Sequence, residues 1–263
     1  IPHVLRETRF KPLVKWSEKY VFRNASFVST HNEALRHYCI GLGAAPTKSS
    51  VIYPGIDLSR FFTGPPRHDL QTKVGIQPTD KVLLFMGTIF RFSGLVELLT
   101  ELSPALHLDK SIKFLILGDG EDFNRLHQLA ITLDLQDQVI MPGRIEYDLL
   151  ADYLRLGHIA LLPFKQELVT HGALPGKVLQ YLACGLPTIS TPLDGLQSMI
   201  PPNQGILYAN NSQEMANIAI ELVSNSDKQH ELASLGVDLM ILHCNWKTQL
   251  QSFEQMIRSF QRV

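Results

Sequence analysis

The segment Thr170–Ser190, THGALPGKVLQYLACGLPTIS, sets a glycine-rich turn and a lysine at the start of a short apolar helix. The helix stops at a glycine and is followed by a proline and a β-branched strand. A helix N-terminus carries partial positive charge and unpaired N–H groups, so HGALPGK suits an anion such as a phosphate. Lys177 is badly placed for the helix dipole and well placed for a phosphate. A solvated surface lysine is the alternative, and spacing alone leaves both open. His171 is the one histidine in an obvious ligand position, although a loop histidine is more often bland than catalytic. One turn beyond Lys177 the polar residue is Gln180, an amide rather than an acid.

Other site chemistries find little support. Gly118 and Gly120 begin a G-x-G, but Phe123 stands where a dinucleotide fingerprint needs its third glycine, and a tight turn is the simpler meaning. There is no Walker loop, no G-x-S-x-G elbow and no H-E-x-x-H. Cys39, Cys184 and Cys244 lack metal spacing. Their odd number suits a reducing compartment, with each thiol a small core residue. No acid-rich cation site is visible, so no metal or other cofactor is expected.

The elements that must position these residues belong to a chain of 263 residues, 45% hydrophobic and 19% charged, with a formal net charge of -1. That is the composition of a globular protein with one large or two smaller domains. The near-zero charge argues against a dedicated nucleic-acid partner. No apolar run reaches the ~18 residues of a membrane span. The chain opens on IPHVLRETRF, with neither an initiator Met nor a secretory apolar region, which we read as a fragment or a processed chain.

Hydrophobic periodicity predicts a helix over KPLVKWSEKYVFR, a turn at Asn24, a strand at Ser26–Ser29, a helix in HNEALRHYCIGLGA and a strand in SSVIYPG. IDLSRFFTGPPRHD reads as a turn-rich connection. Strands then alternate with helices: KVLLFMG, IKFLILG, QVIMPG, HIALLPF, LPTIST and GILYA are strands, and the segments between them are helical. Continuously apolar strands separated by helices belong to a parallel sheet covered on both faces. A doubly wound Rossmann-like domain is therefore expected from about Asp80 to Asn225. The first 57 residues offer too few elements for a core of their own. In such sheets ligands bind beyond the carboxyl ends of the strands. Here those ends are FMGTIFRFSG, ILGDGED, MPGRIEY, LPFKQELVTHGALPGK and STPLDG, all carrying glycine.

Taken in order, these pieces resemble the retaining glycosyltransferases of GT-B fold, glycosyltransferase 4 type. VIYPGIDLSRF resembles the family's V-I-x-N-G-V-D-x-x-x-F, and LLFMGTIFRFSGLVELL its G-R-L-x-x-x-K-G strand and loop. FLILGDGE resembles L-x-I-x-G-x-G, and QVIMPGRIEYDLLADYLRLGHIALLPF the segment that runs to L-x-P. LPGKVLQYLACGLPTISTPLDG resembles the P-x-K-x-x-E-Y-x-A-x-G-x-P block. Each piece alone is loose; five in the right order and spacing are specific. The resemblance implies an α/β GT-B architecture with a complete C-terminal Rossmann-like domain and the last part of an N-terminal one. Residues 1–57 would close the N-terminal acceptor domain and 58–79 connect the two. Residues 80–245 would bind the donor, and the helix of 246–263 would return to the first domain.

The activity so implied is transfer of a sugar, hexosyltransferase-like and with retention, from a nucleotide-diphosphate sugar to a glycan or lipid-linked hydroxyl acceptor. Lys177 and Arg91 would stabilise the departing diphosphate, helped by backbone N–H groups of His171, Gly172 and Ala173. Gly87, Thr88, Ser93 and Gly118 would surround the donor, the main chain of Gly143 and Arg144 would hold the base, and Gln180 would face the ribose. There are departures. The family's Arg and Lys fall at Thr88 and Ser93, and the two acids of its E-x7-E motif fall at Gly172 and Gln180. They keep open a second reading, a degenerate nucleotide-sugar-binding homologue without catalysis. A sugar-nucleotide epimerase shares the fold but has no visible acid and base here. Finally, RETRFKPLVKWSEKYVFR carries six basic and two acidic residues among aromatics. That mix suits peripheral contact, through Lys11–Arg23, with the inner face of a membrane in an otherwise cytoplasmic protein. An ordinary helix packed inside the first domain is the alternative.

Overall fold

The computed structural model describes residues 10–167, 170 and 172–260. Helix α1 (Lys11–Asn24) precedes a small unit of β1 (Val28–Thr30), α2 (Glu33–Gly41) and β2 (Ser49–Val51). After α3 (His68–Val74) come β3 (Lys81–Met86), α4 (Leu95–Leu108), β4 (Ile112–Leu117), α5 (Phe123–Thr132), β5 (Val139–Gly143) and α6 (Leu150–Leu154). Then follow β6 (Ile159–Leu162), α7 (Gly176–Ala183), β7 (Thr188–Ser190), the short α8 (Asp194–Gln197) and β8 (Ile206–Tyr208). Helices α9 (Ser212–Val223), α10 (Ser226–His243) and α11 (Trp246–Phe260) close the fold.

Two parallel sheets result. One pairs β1 with β2; the other has six strands in the order β5-β4-β3-β6-β7-β8. The apolar runs explain the second. Val82, Leu83, Leu84 and Phe85 of β3 are fully buried, as a strand covered on both faces requires. Helix α4 buries Leu95, Leu98, Leu99, Leu102 and Leu106 along one stripe, each contributing roughly 1.5–3 kcal/mol. Pro142 lies in β5, an edge strand, where a missing N–H costs no ladder bond. Sheet order reverses between β3 and β6, which makes their carboxyl ends the switch point of the fold.

The first strand is one or two residues later than its apolar pattern suggests. The segment 58–79 is more than a turn-rich connection. It contains α3, and Phe61, Leu70 and Ile76 join the buried cluster of the large sheet. All three cysteines are buried, and burial pushes the Cys184 and Cys244 thiols up to about 12. The chain passes twice between the units, and the two crossings are bonded to each other. Ile56 N–H donates to Cys244 C=O (2.7 Å) and Trp246 N–H to Ile56 C=O (3.2 Å).

Candidate functional site

At the switch point the backbone turns sharply after β3 and β4. Gly87 (φ 134°) and Gly118 (φ 145°) adopt dihedrals that L side chains rarely reach, and a Cβ on Gly118 would overlap the Gly87 carbonyl. The two turns touch because neither residue has a side chain. They form one wall of a cleft of about 490 Å³, also lined by Thr88, Asp119, Gly120, Arg144, Ile145 and Leu150. Gly143, outside the cleft lining, accepts the Gly118 N–H (2.8 Å).

Lys177 reaches this wall from α7. Its Nζ lies against Gly87, where any Cβ would overlap it. The ammonium stands 4.5 Å from the centroid of the Phe85 ring and 5.0 Å from that of Phe164. Those rings supply cation–π contact but no counter-charge. Burial is the sole cause that moves its pKa, down to about 7. Among the described residues no carboxylate stands beside this ammonium, an arrangement that can receive an anion.

The other expected residues divide. Thr88 is exposed on the cleft wall, and Arg144 projects from its rim. Ser93 does not face the cleft. It is fully buried, and its hydroxyl accepts from Phe90 N–H (3.0 Å) and donates to Thr88 C=O (3.2 Å), so it shapes the loop instead of touching a ligand. Arg91 is exposed and lies outside the cleft lining; its backbone N–H donates to Glu121 Oε1 (3.3 Å). Ala173 N–H is spent on Thr170 C=O (2.9 Å) and is not a free donor for a diphosphate. The Gly172 carbonyl accepts from Asn32 Nδ2 (3.2 Å). His171 lies outside the described residues. Gln180 lines a neighbouring cleft of about 410 Å³ with Gly176, Leu179, Tyr147, Trp246 and the crossing Pro54–Asp57. The two clefts flank the segment 145–150, since Ile145 and Leu150 line one and Tyr147 the other.

Two side chains escaped the sequence analysis. Asn32 is fully buried, caps α2 by accepting from Leu35 N–H (2.8 Å), and ties the small unit to the glycine loop through Gly172. Its place just before EALRHYCI was a readable N-cap signal. Tyr181, also fully buried, bonds the end of β3; its spacing of four from Lys177 was the available clue. Among the described residues no three His, Cys, Asp or Glu side chains come together as a metal site.

The family description Glycosyl transferases group 1 matches residues 66–235, and the chain belongs to that family. D-inositol 3-phosphate glycosyltransferase 1 of Catenulispora acidiphila is 29% identical over 167 residues, covering 60% of this chain and 38% of that protein. Alpha-monoglucosyldiacylglycerol synthase of Streptococcus pneumoniae is 28% identical over 189 residues, covering 70% and 42%. Among solved structures, Anabaena Alr3699/HepE in complex with UDP superposes with a TM-score of 0.82 at 19% identity, covering 95% of this chain and 69% of that one. Sucrose-phosphate synthase from Thermosynechococcus elongatus gives 0.76 at 19% identity, covering 97% and 64%. These structural likenesses show a shared fold, the α/β GT-B architecture. The chain spans from 38% to 59% of the length of four curated relatives.

Proposed function

We propose that this chain carries the donor site of a retaining glycosyltransferase, which moves a sugar from a nucleotide-diphosphate sugar to a hydroxyl acceptor in glycan, polysaccharide or glycolipid synthesis. The observation that carries the reading is the uncompensated Lys177 ammonium at the switch point, set against Gly87 between two aromatic rings. The bond from the anomeric carbon to the diphosphate breaks, and the electron pair leaves with the diphosphate. The acceptor oxygen bonds to that carbon and gives up its proton to an oxygen of the departing diphosphate. Negative charge grows on the diphosphate, so a fixed cation there is the main catalytic contribution of this chain. The base and ribose would span the two clefts, with the main chain of Gly143 and Arg144 at one end and Gln180 at the other. The solved relative in complex with UDP supports a nucleoside diphosphate as the ligand class.

Gln180 in place of an acid favours weaker donor binding over lost chemistry, since an amide accepts a ribose hydroxyl without charge assistance. Gln180→Glu is therefore expected to lower the donor KM about fivefold and to leave kcat within about twofold. A gain of orders of magnitude in kcat would mark instead a decayed enzyme, the second reading that the substitutions at Gly172 and Gln180 support.

The exposed Leu13, Trp16, Tyr20 and Val21 of α1, interleaved with Lys15, Lys19 and Arg23, fit a peripheral contact with an anionic membrane. No helix among the described residues is long and apolar enough to cross one. Co-sedimentation with vesicles is expected to rise with the fraction of anionic lipid and to fall with salt. Sedimentation indifferent to lipid charge removes this contact.

A further inference from the structure

Neighbouring strands of a parallel sheet normally satisfy each other's backbone to their ends. Strand β3 breaks that rule on its β6 side. Pairing between the two runs only through Leu83↔Ile159 and Leu84↔Ala160. In that register Met86, the last residue of β3, would face Leu162, and no such pair forms. Its N–H and C=O are nevertheless satisfied. The Tyr181 hydroxyl accepts from Met86 N–H at 2.7 Å and donates to Met86 C=O at 3.2 Å.

Tyr181 is the largest fully buried side chain among the described residues, and burial raises its phenol pKa, so the hydroxyl stays protonated and able to donate. It stands one turn after Lys177 on the same face of α7. Lys177 Nζ in turn lies over Phe85 and against Gly87, the residues on either side of Met86. One helix face thus grips three consecutive residues at the end of β3.

We infer that Tyr181 is a positioning residue for sugar transfer: its hydroxyl replaces β6 as the partner of Met86 and holds the β3–β6 crevice at the width that seats Lys177 against the donor diphosphate. The inference rests on the reading of Lys177 as the diphosphate ligand. Without Tyr181 the freed Met86 groups would draw β6 or water into the crevice, and the ammonium would gain solvent.

The test compares Tyr181→Phe with Tyr208→Phe. Tyr208 donates a hydrogen bond to Ile200 C=O (2.8 Å) from β8, at the far edge of the sheet, and serves as the control for a lost tyrosine hydroxyl. Affinities for UDP-, GDP- and ADP-glucose, whose diphosphates are esterified at both ends, are measured by calorimetry as a function of pH, with thermal unfolding in parallel. Tyr181→Phe is expected to unfold at lower temperature and to bind the diphosphate ~10-fold more weakly. Its pH midpoint for binding should move up toward the ordinary lysine range. Tyr208→Phe should lose stability while keeping wild-type affinity and midpoint. 4-Aminophenylalanine at position 181, which can both donate and accept, should restore binding. Wild-type affinity and midpoint in Tyr181→Phe overturn the inference. Should that variant not fold, hydrogen exchange in the wild type decides: Met86 N–H should be protected as well as Leu84 N–H, and exchange at the rate of a frayed strand end overturns it. If the wild type binds no diphosphate, the donor-site reading fails, and the same exchange experiment still judges the strand anchor by itself.

Discussion

Lys177→Ala is expected to lower turnover by ~100-fold or more while the fold survives. The size follows from where the charge sits. A cation aimed at developing negative charge inside a partly dry crevice is worth far more than one in water. The other cation on the described wall, Arg144, is exposed at the rim and does not lie against Gly87. Arg91 stands outside the cleft lining, and Ala173 N–H is already bonded. Lys177→Arg should not rescue turnover, since a planar guanidinium does not fit the gap between Phe85, Phe164 and Gly87 that holds a compact ammonium. The same geometry sets the sign of the stability change. A desolvated ammonium without a counter-ion costs free energy in the folded state. Lys177→Met, which keeps the apolar stem, should therefore unfold at a higher temperature than the wild type at pH 6. Loss of turnover together with a gain in stability is the signature of a functional charge. A merely structural lysine would lose both. Wild-type turnover in Lys177→Ala removes the assignment.

Donor binding should weaken by about tenfold for each pH unit above about 7 and level off once the pKa of the bound form is passed. Burial holds Lys177 down to about 7, and only the protonated form attracts the diphosphate. The diphosphate of a nucleotide sugar is esterified at both ends and does not titrate near neutrality, so the slope belongs to the protein. Stability should move the other way. Below about 7 the lysine is charged in both folded and unfolded chains. Between about 7 and about 10.4 the unfolded chain alone stays protonated and binds more protons. Stability should rise with pH across that window while affinity falls. Both slopes should vanish in Lys177→Ala. Titration calorimetry and thermal unfolding at matched pH values check them, and a flat wild-type affinity profile contradicts the desolvated lysine.

Much of this architecture was legible because its causes are local. Short, largely apolar runs such as KVLLFM and IKFLIL, alternating with helical segments, read as central strands, and the glycines after them mark the ligand side of the sheet. For Lys177 spacing alone left a phosphate ligand and a solvated surface lysine equally open, and its place between Phe85, Phe164 and Gly87 depends on the folded sheet. What escaped depends on long-range contact. Helix α3 is seven residues long between a proline pair and a glycine, so its ends masked its period. The fate of the Ser93 hydroxyl turns on a loop that closes on itself, and the Ala173 N–H is consumed by a turn no spacing reveals. Gln180 faces a cleft completed by Pro54–Asp57 and Trp246, residues distant in sequence that meet only because the two chain crossings are bonded together. Tyr181 looked like one more apolar position of α7, because a tyrosine's hydroxyl partner cannot be read from its neighbours.

Calorimetric titration of the wild-type chain and Lys177→Ala with UDP, GDP, ADP, TDP and CMP, each with and without its sugar, tests the donor site most directly. The expected result is saturable binding of one nucleoside diphosphate by the wild type and at least a tenfold loss in Lys177→Ala. Equal affinity in the two folded proteins, or no binding of any diphosphate by the folded wild type, would contradict it.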